Sequence, residues 1–303
     1  MRRGENEFIY SIVSLLSMNS AELEAWLVNV NRRYRDEEMP HKRRPFQAYS
    51  DYSREFNCAF LFDSPLATSI FEWFKSHSEP EAHMVGALHT DTFYFDAYFW
   101  PVNIPIGYGR FALNMLECLS TMPKALKVDL QQNKQDMGRL AIYWADCCDY
   151  GYGLNDLEKD SKLSPRAMTF LLNADKELIG ATSQLTTPRP NPKAILACRM
   201  ACEIFLKTAL IQELNPSEQK LKKLGHKIDA LANACHGATS VDAFKEIALA
   251  AAVFPDVSER YDGKDRPLSV VWNAIAVAQF AAATVIRLYT DRDMRKNVLS
   301  HAK

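Results

Sequence analysis

Apolar residues recur every three or four positions over most of this chain, a spacing that predicts amphipathic helices. Before residue 90 the spacing is present in residues 8–35 and in the segment that opens at Ser64–Pro65. It resumes in residues 124–150 and continues through almost everything after Ser164. A mainly α fold is therefore expected. The helices predicted after Ser164 are 165–185, 192–214, 217–235, 241–254 and 268–289.

Residues 90–111 break the helical pattern. Aromatic and β-branched residues alternate there with polar ones, and Pro101, Pro105, Gly107 and Gly109 interrupt the run. Prolines are tolerated at strand ends and sheet edges, so the segment predicts a β-hairpin or two or three short strands.

Two polar segments predict the main connections. Residues 35–53 are charged, polar and aromatic, which favours a surface loop. Residues 151–165 are rich in glycine and charge, which favours a boundary between two parts. We therefore expect an α+β region of unknown type over residues 1–160, with a small hairpin or sheet. An antiparallel helical bundle is expected over residues 161–303.

Composition limits the classes of partner. The chain of 303 residues has 36 Lys and Arg against 37 Asp and Glu, a formal charge of −1. This balance does not favour non-specific binding to nucleic acid or to anionic lipid, although a local basic patch remains open. No apolar run approaches the roughly 20 residues that span a bilayer, so no membrane is expected as a partner. Glu5 and Glu7 interrupt the charged N-terminal region, which we interpret as mature protein and not as a signal peptide.

The seven cysteines, an odd number, do not indicate a disulfide framework. Several lie in apolar helical stripes, where cysteine packs as a small hydrophobic residue. A reducing cytoplasm is the expected location.

Residues 193–231 carry a short helical motif followed by a turn. The helix contains Ala201, Phe205-Leu206-Lys207 and Leu210, and the turn has the form G-H-x-x-x-x-L, with Gly225, His226 and Leu231. Arg260-Tyr261 follows, ahead of the last long helix. On these residues, the region 160–290 resembles the HEPN superfamily of helical domains, which is found in prokaryotic stress and defence proteins.

The resemblance implies a role that involves RNA, because many HEPN domains are metal-independent ribonucleases or RNA-binding dimers. We therefore expect a non-catalytic RNA-binding or interaction module of bacterial stress or defence, in a context like that of toxin–antitoxin systems. RNA and a second copy of the chain, forming a homodimer, are the expected partners, and no cofactor is expected. A structural dimerisation protein is an alternative, with the aromatic hairpin or a stripe of small residues as its interface. The stripe consists of Ala274, Ala278, Ala281 and Val285.

A metal-independent endoribonuclease is the enzyme alternative. The catalytic HEPN pattern is an arginine, four to six residues and a histidine, residue types that suit phosphate binding and proton transfer. His226 and His236 lack an upstream arginine at this spacing, whereas Arg295 precedes His301 and Arg35 precedes His41 at an allowed one. About one such pair is expected by chance. If the protein is an enzyme, Arg295 and His301 are the candidate catalytic residues.

His226 has two interpretations. It could belong to a surface that binds RNA or another ligand, together with neighbouring lysines. Otherwise it is a partly buried residue whose ring bonds a backbone carbonyl at a helix contact. Packing is favoured, because lysine-rich stretches are more often solvated faces. The lysines in question are Lys220, Lys222, Lys223 and Lys227.

Arg260 and Tyr261 also have two interpretations. They could line a polar pocket that binds RNA or another ligand. Otherwise they attach a loop to the bundle, with Arg260 paired to an acid such as Asp229. The structural role is favoured, since a single ion pair is weak support for a functional site.

Two sets of side chains have metal-ligand chemistry. The first is Cys198, Cys202, Cys235 and His236, and the second is His77, Glu81, His83, His89 and Asp91. No C-x-x-C pair is present, and cysteines four residues apart also pack in helical cores. The histidines of the second set are six residues apart, which does not place them on one helix face, so we interpret them as loop residues. No metal site is predicted.

The aromatic residues of the predicted hairpin leave three interpretations open. They could stack on bases, form a buried sheet face or anchor a protein interface. The nearby "GYGRF" at 107–111 lacks the lysine and the spacing of a phosphate-binding loop.

Overall fold

The computed structural model describes residues 20–59, 61, 64–77, 87–107, 112–160, 162–256 and 266–301. These residues form 12 α-helices and one two-stranded antiparallel sheet, which confirms the mainly α fold with a small hairpin. Contacts divide the chain into two compact units, Met1–Gly86 and Ala87–Lys303. Each unit has a hydrophobic core of its own.

Unit 1 is helical. Its described elements are α1 (Ser20–Asp36), a 3-10 turn (His41–Arg43), α2 (Arg44–Glu55) and α3 (Pro65–His77). Ser64 begins α3 as predicted, because its Oγ accepts a hydrogen bond from the backbone N–H of Ala67 at 3.1 Å. The predicted start of the first helix, at residue 8, lies outside the described residues.

Residues 35–53 are mostly helical, so the prediction of a loop was wrong. They include the 3-10 turn and most of α2, which buries Tyr49 and Tyr52 in the core of unit 1. The Tyr49 hydroxyl donates a hydrogen bond to the Leu61 carbonyl at 2.6 Å. A buried tyrosine needs such a partner for its hydroxyl, and this one lies in a different segment, which the local sequence does not reveal.

Unit 2 contains the hairpin and nine described helices. The strands are β1 (His89–Phe95) and β2 (Tyr98–Ile104), and the helices are α4 (Lys124–Gln132), α5 (Lys134–Lys159), α6 (Pro165–Leu185), α7 (Ala194–Leu214), α8 (Glu218–Lys223), α9 (Ile228–Thr239), α10 (Ala243–Ala250, extended by a 3-10 turn over Ala251–Val253), α11 (Leu268–Tyr289) and α12 (Met294–His301).

The predicted hairpin is confirmed. β1 and β2 pair in antiparallel register, with Phe95 opposite Tyr98. The two turn residues, Asp96 and Ala97, have φ values of 50° and 57°, as a type I′ turn requires. Phe93 and Phe99 are fully buried in the core of unit 2, so a buried sheet face accounts for these two aromatics.

The last long helix, α11, is at the centre of unit 2 and packs against α5 and α7. Its bounds agree with the sequence prediction. The small residues proposed as a dimer interface are fully buried inside the unit, so they form no exposed interface there: Ala274, Ala278, Ala281 and Val285.

α11 is also long and apolar enough to cross a membrane, with a hydropathy of 1.7 over its most apolar window. The expectation that no segment approaches this length and apolarity was therefore wrong. However, 67% of that window is buried within the protein. Packing in the bundle accounts for the apolar character of the helix.

α5 continues through Lys159, across most of the segment predicted as a boundary. Its glycines allow close packing and do not mark a linker. A Cβ atom on Gly151 would lie 2.8 Å from His89 Cβ, and one on Gly153 would lie 2.1 Å from Ile286 Cγ2. The division between compact units consequently falls between Gly86 and Ala87, and not at 160/161, because the hairpin and α5 belong to the core of the bundle.

The helix predicted over residues 217–235 is broken into α8 and α9. Gly225 lies between them with a φ of +70°, a left-handed conformation that glycine adopts most readily. The apolar spacing is continuous across the break, since Leu221, Ile228 and Leu231 are all buried. The turn places His226 at the surface.

Candidate functional site

A groove of about 600 Å³ lies between α6, α7 and the turn that connects α8 with α9. We call it the His226 groove. It is lined by Glu177, Gln184, Lys193, Leu196, Ala197, Arg199, Met200, Glu203 and His226.

His226 is 68% exposed in this groove, and its ring nitrogen Nδ1 lies 2.8 Å from Glu203 Oε1. Its backbone carbonyl accepts a hydrogen bond from Arg199 Nη2 at 2.6 Å. The favoured sequence interpretation, a partly buried ring bonded to a backbone carbonyl, was therefore wrong. The ring is exposed and oriented by a carboxylate, while the backbone is the part that Arg199 holds.

Glu203 is buried, yet its charge has two partners. Lys207 Nζ lies 2.7 Å from Glu203 Oε1, one helical turn further along α7. A buried carboxylate is stable only when it is paired in this way. Lys207 offsets the charge of Glu203, and the groove lining adds two cations, Lys193 and Arg199, and a second acid, Glu177.

The groove lies in a locally basic segment. Residues 189–227 contain eight Lys and Arg but only three acidic residues, although the whole chain has a formal charge of −1. The eight cations are Arg189, Lys193, Arg199, Lys207, Lys220, Lys222, Lys223 and Lys227; the acids are Glu203, Glu213 and Glu218. Lys222, Lys223 and Lys227 are exposed, as a binding surface requires.

Arg260 and Tyr261, the other predicted binding residues, lie outside the described residues. Asp229, proposed as the partner of Arg260, is exposed in the first turn of α9.

Arg295 lies at the centre of an ion network that joins α12 to α5. Its Nη1 is 2.6 Å from Asp146 Oδ2, and its guanidinium lies 4.2 Å from the centre of the Phe280 ring. Arg287 pairs with Asp146 at 2.5 Å and with Asp149 at 2.6 Å. These two carboxylates outweigh the effect of burial and raise the pKa of Arg287.

The same network fixes the start of α12. Asp149 accepts hydrogen bonds from the backbone N–H groups of Met294 at 2.6 Å and Arg295 at 3.2 Å. The backbone of His301 is in the last turn of α12, and its side chain lies outside the described part of the chain. The Arg295 guanidinium is thus engaged in fold-forming contacts. The other spaced pair falls in unit 1, where Arg35 is exposed and His41 begins the 3-10 turn.

A second polar cluster is fully enclosed in unit 2. We call it the buried centre, and it consists of His89, Asp91, Tyr143, Cys147, Thr182 and Gln279. His89 was interpreted as a loop residue, which was wrong, since it lies with Asp91 on the buried face of β1. Glu81 and His83 lie outside the described residues, and His77 ends α3.

In the buried centre, the observed hydrogen bonds use one side-chain atom of His89 and one of Asp91. His89 Nε2 lies 3.1 Å from Gln279 Oε1, and Gln279 Nε2 donates to the Asp146 carbonyl at 3.2 Å. Because the amide nitrogen is used as a donor there, His89 Nε2 must carry the proton. Asp91 Oδ1 accepts from Thr182 Oγ1 and from the Thr92 N–H, both at 2.8 Å. Asp91 Oδ2 and Tyr143 Oη have no hydrogen-bond partner among the described residues.

Burial sets the protonation of this centre. It lowers the pKa of His89 to about 4, although the bond to Gln279 acts in the opposite direction. It raises the pKa of Asp91 to about 7, despite the opposing effects of Thr182, Tyr143 and the Thr92 N–H. Burial also raises the pKa of the Cys147 thiol well above its ordinary value.

The sequence had identified a different set of cysteines. Cys198, Cys202 and Cys235 are buried in the core, where the Cys235 thiol donates to the Leu206 carbonyl at 3.2 Å. His236 lies beside Asp242 at 3.5 Å. Within the described ranges, the single group of three or more His, Cys, Asp or Glu donors close enough to share a metal ion is His89, Asp91 and Cys147. Sequence reasoning missed Cys147, because it is 56 residues from Asp91 along the chain.

Among the described residues, the protein therefore offers the open His226 groove, an ion network at Arg295 that borders a second pocket of about 470 Å³, and the closed polar centre. The groove combines exposure with a cation-rich segment. Comparison of the chain with family models, with curated proteins and with solved structures finds no match.

Proposed function

We propose that this protein binds RNA through the His226 groove and the lysines of the adjoining turn, as a non-catalytic, HEPN-like helical bundle. The observation that carries the proposal is the excess of cations in residues 189–227, the segment that supplies most of the lining of an open groove, in a chain whose formal charge is −1. Phosphate contacts by Lys and Arg supply most of the sequence-independent affinity for RNA.

The groove has the chemistry to receive a nucleotide. Arg199 presents a planar guanidinium that suits phosphate oxygens, and Lys193 adds a second cation at the same wall. Leu196 and Met200 line the groove as an apolar surface against which an unstacked base can pack. Single-stranded RNA fits these features better than a duplex, whose bases are stacked away from the groove.

The state of Arg295 supports a binding role over a cleaving one. A catalytic arginine has to reach the phosphate, whereas this guanidinium pairs with a buried Asp146 and covers Phe280. Moving it would break a charged hydrogen bond to a buried carboxylate and leave Asp146 with Arg287 as its remaining guanidinium partner, which is costly. The stress or defence context follows from the HEPN resemblance alone and is proposed on that basis.

The test is fluorescence anisotropy of a labelled single-stranded RNA titrated with the full chain. We expect binding that weakens with salt, with a slope of about −0.7 for each phosphate contact. The variant Lys222→Glu/Lys223→Glu should bind at least about tenfold more weakly, since it reverses two charges in the basic segment, at the end of α8. The matched control, Lys245→Glu/Lys296→Glu, makes the same charge change at exposed lysines outside the basic segment.

Two results would contradict the proposal. One is the absence of RNA binding at low salt. The other is an equal loss of affinity in both double variants, which would indicate attraction to net charge and not to this surface. Concentration-dependent mass without RNA binding would favour the structural dimerisation alternative.

A further inference from the structure

Three donors of different chemical type meet in the buried centre. One atom each of His89, Asp91 and Cys147 lies within 4.8 Å of the other two. They come from two elements, because His89 and Asp91 belong to β1 and Cys147 belongs to α5. We propose that these three side chains bind a zinc ion that joins the hairpin to the helical bundle.

His89 and Asp91 each have one atom held by the protein and a second atom that these bonds do not use. His89 uses Nε2 for Gln279, and Asp91 uses Oδ1 for Thr182 and the Thr92 N–H. Asp91 Oδ2 is buried without a hydrogen-bond partner, and the Cys147 thiol is buried and free of a disulfide. Metal-ligating histidines and carboxylates are commonly oriented in this way, through hydrogen bonds to the atom that does not bind the metal.

The unpartnered oxygens are the independent observation. A buried polar atom without a partner is rare in folded proteins, because it loses its hydration and gains nothing. Here Asp91 Oδ2 and Tyr143 Oη both lack a partner within ordinary hydrogen-bond geometry, although the two side chains are close enough to affect each other's pKa. A cation bound at Oδ2 would satisfy the Asp91 oxygen.

The donor set selects the metal. Imidazole nitrogen, thiolate sulfur and carboxylate oxygen are all zinc ligands, whereas magnesium and calcium require oxygen donors. With the thiolate and the carboxylate ionised and the histidine neutral, a divalent cation gives a site of zero net charge. Neutrality suits a fully enclosed position, since an isolated charge there would be expensive.

The required movement is small. Zinc bonds of about 2.0–2.3 Å place neighbouring tetrahedral ligands roughly 3.3–3.8 Å apart. From separations of up to 4.8 Å, the donors have to close by about 1.5 Å at most. Because the site is enclosed, we expect the metal to enter as the chain folds and to be released when it unfolds.

The alternative is a metal-free polar core in which Asp91 stays protonated. The two differ in spectroscopy and in metal content, so they can be separated. The full chain is unfolded in the presence of a chelator, refolded with Zn²⁺ or with Co²⁺, and freed of excess metal on a desalting column. We expect about one metal ion per chain and, with Co²⁺, a thiolate-to-cobalt charge-transfer band. Refolded protein that retains no metal, or a cobalt spectrum without the thiolate band, would overturn the proposal.

Variants then identify the ligands. Cys147→Ser should remove the thiolate band and weaken Co²⁺ binding by roughly a hundredfold or more. Cys148→Ser, the matched control, changes the next thiol of α5, which is also buried but outside the donor set, and should keep the band. Equal bands in both variants would contradict the assignment.

Two further variants distinguish a specific loss of metal binding from misfolding of the protein. Asp91→Asn keeps the shape of the side chain and the acceptor for Thr182, and should lose the metal while circular dichroism stays native. Gln279→Leu leaves all three ligands in place but removes the partner of His89, and should weaken Co²⁺ binding about 10–100-fold. Native spectra with undiminished metal in Asp91→Asn would also overturn the proposal. Neither variant touches the His226 groove, so RNA binding is tested separately.

Discussion

Asp91 is a carboxylic acid in a place that disfavours its ionised form. Burial raises its pKa to about 7, and the titratable groups around it are His89, Tyr143, Tyr150, Cys147 and Cys198. The two tyrosines and the two thiols have pKa values well above their ordinary ones, so they stay neutral over the working range. Only Asp91 and His89 therefore titrate in the centre between mildly acidic and neutral pH.

The metal-free protein should consequently lose stability as the pH rises. Asp91 has a higher pKa when folded than when unfolded, so its favourable contribution is complete below about pH 4 and is lost as the pH rises towards 7. The slope is at most about 1.4 kcal/mol for each pH unit. Asp91→Asn removes this dependence, and urea unfolding with chelator at about pH 5 and about pH 8 measures it.

The comparison with wild type isolates Asp91. His89 has a lowered pKa and destabilises the fold as the pH falls from about 6.5 towards 4, but it does so in both proteins, so its effect cancels in the difference. The free energy of unfolding of Asp91→Asn should therefore rise relative to that of wild type as the pH increases. If the difference in unfolding free energy between the two proteins did not change with pH, Asp91 would not be a buried, protonated carboxylic acid.

Arg295 provides a second test at the scale of one residue. We expect Arg295→Ala to lower the free energy of unfolding by about 1.5–3 kcal/mol, because the buried Asp146 carboxylate loses one charged hydrogen bond but keeps its partner Arg287. Lys296→Ala changes the next, exposed residue and should be nearly neutral. Chemical denaturation measures the stability of both variants. RNA cleavage without added metal is measured for the same variants and for wild type. RNA cleavage by wild type that disappears in a stably folded Arg295→Ala variant would restore the ribonuclease alternative.

At the scale of the element, the sequence predicted those structures that depend on residues close together along the chain. The hairpin and α11 were predicted with nearly their observed bounds, because strand alternation, turn residues and helical spacing are all contained in a short window. α2 was missed, since its buried tyrosines use polar partners that the spacing does not show. The break at Gly225 was also missed, because the apolar residues on both sides continue the stripe of one helix.

The candidate sites show the same limit. The lysines and His226 of the groove lie within six residues, so the sequence could identify them as a possible surface. The buried centre joins β1 to α5, α6 and α11, which are far apart along the chain. Its ligands could be paired only after tertiary packing was known, and no short-range pattern connects Cys147 with His89.

α5 offers a direct comparison of two glycines in one helix. Gly153→Ala should destabilise unit 2 by about 1–3 kcal/mol, because its Cβ would lie 2.1 Å from the branched side chain of Ile286. Gly138→Ala meets no atom within 4 Å and should stabilise the helix by about 0.5–1 kcal/mol. Thermal and chemical unfolding of both variants measure the difference. If Gly153→Ala were as stable as Gly138→Ala, the close approach of α5 and α11 would be wrong.

At the scale of the whole molecule, two separate cores imply two folding units. The core of unit 1 lies within residues 27–74, and that of unit 2 within residues 93–286. The hairpin and α5 belong to the second core, together with all the helices of the bundle. A fragment that keeps residues 87–303 therefore retains every buried apolar residue of unit 2, whereas a fragment cut at the compositional boundary does not.

We expect residues 87–303 to fold alone, with a helical circular dichroism spectrum and one cooperative thermal transition. They should also keep the RNA affinity of the full chain, because the His226 groove lies entirely within them. A fragment of residues 161–303 is the control. It lacks the hairpin and α5, so the faces of α6 and α11 that pack on them would be exposed to water, and it should be unfolded or aggregated. A cooperative transition in residues 161–303 would show that the bundle does not need α5, and would return the boundary to residue 160.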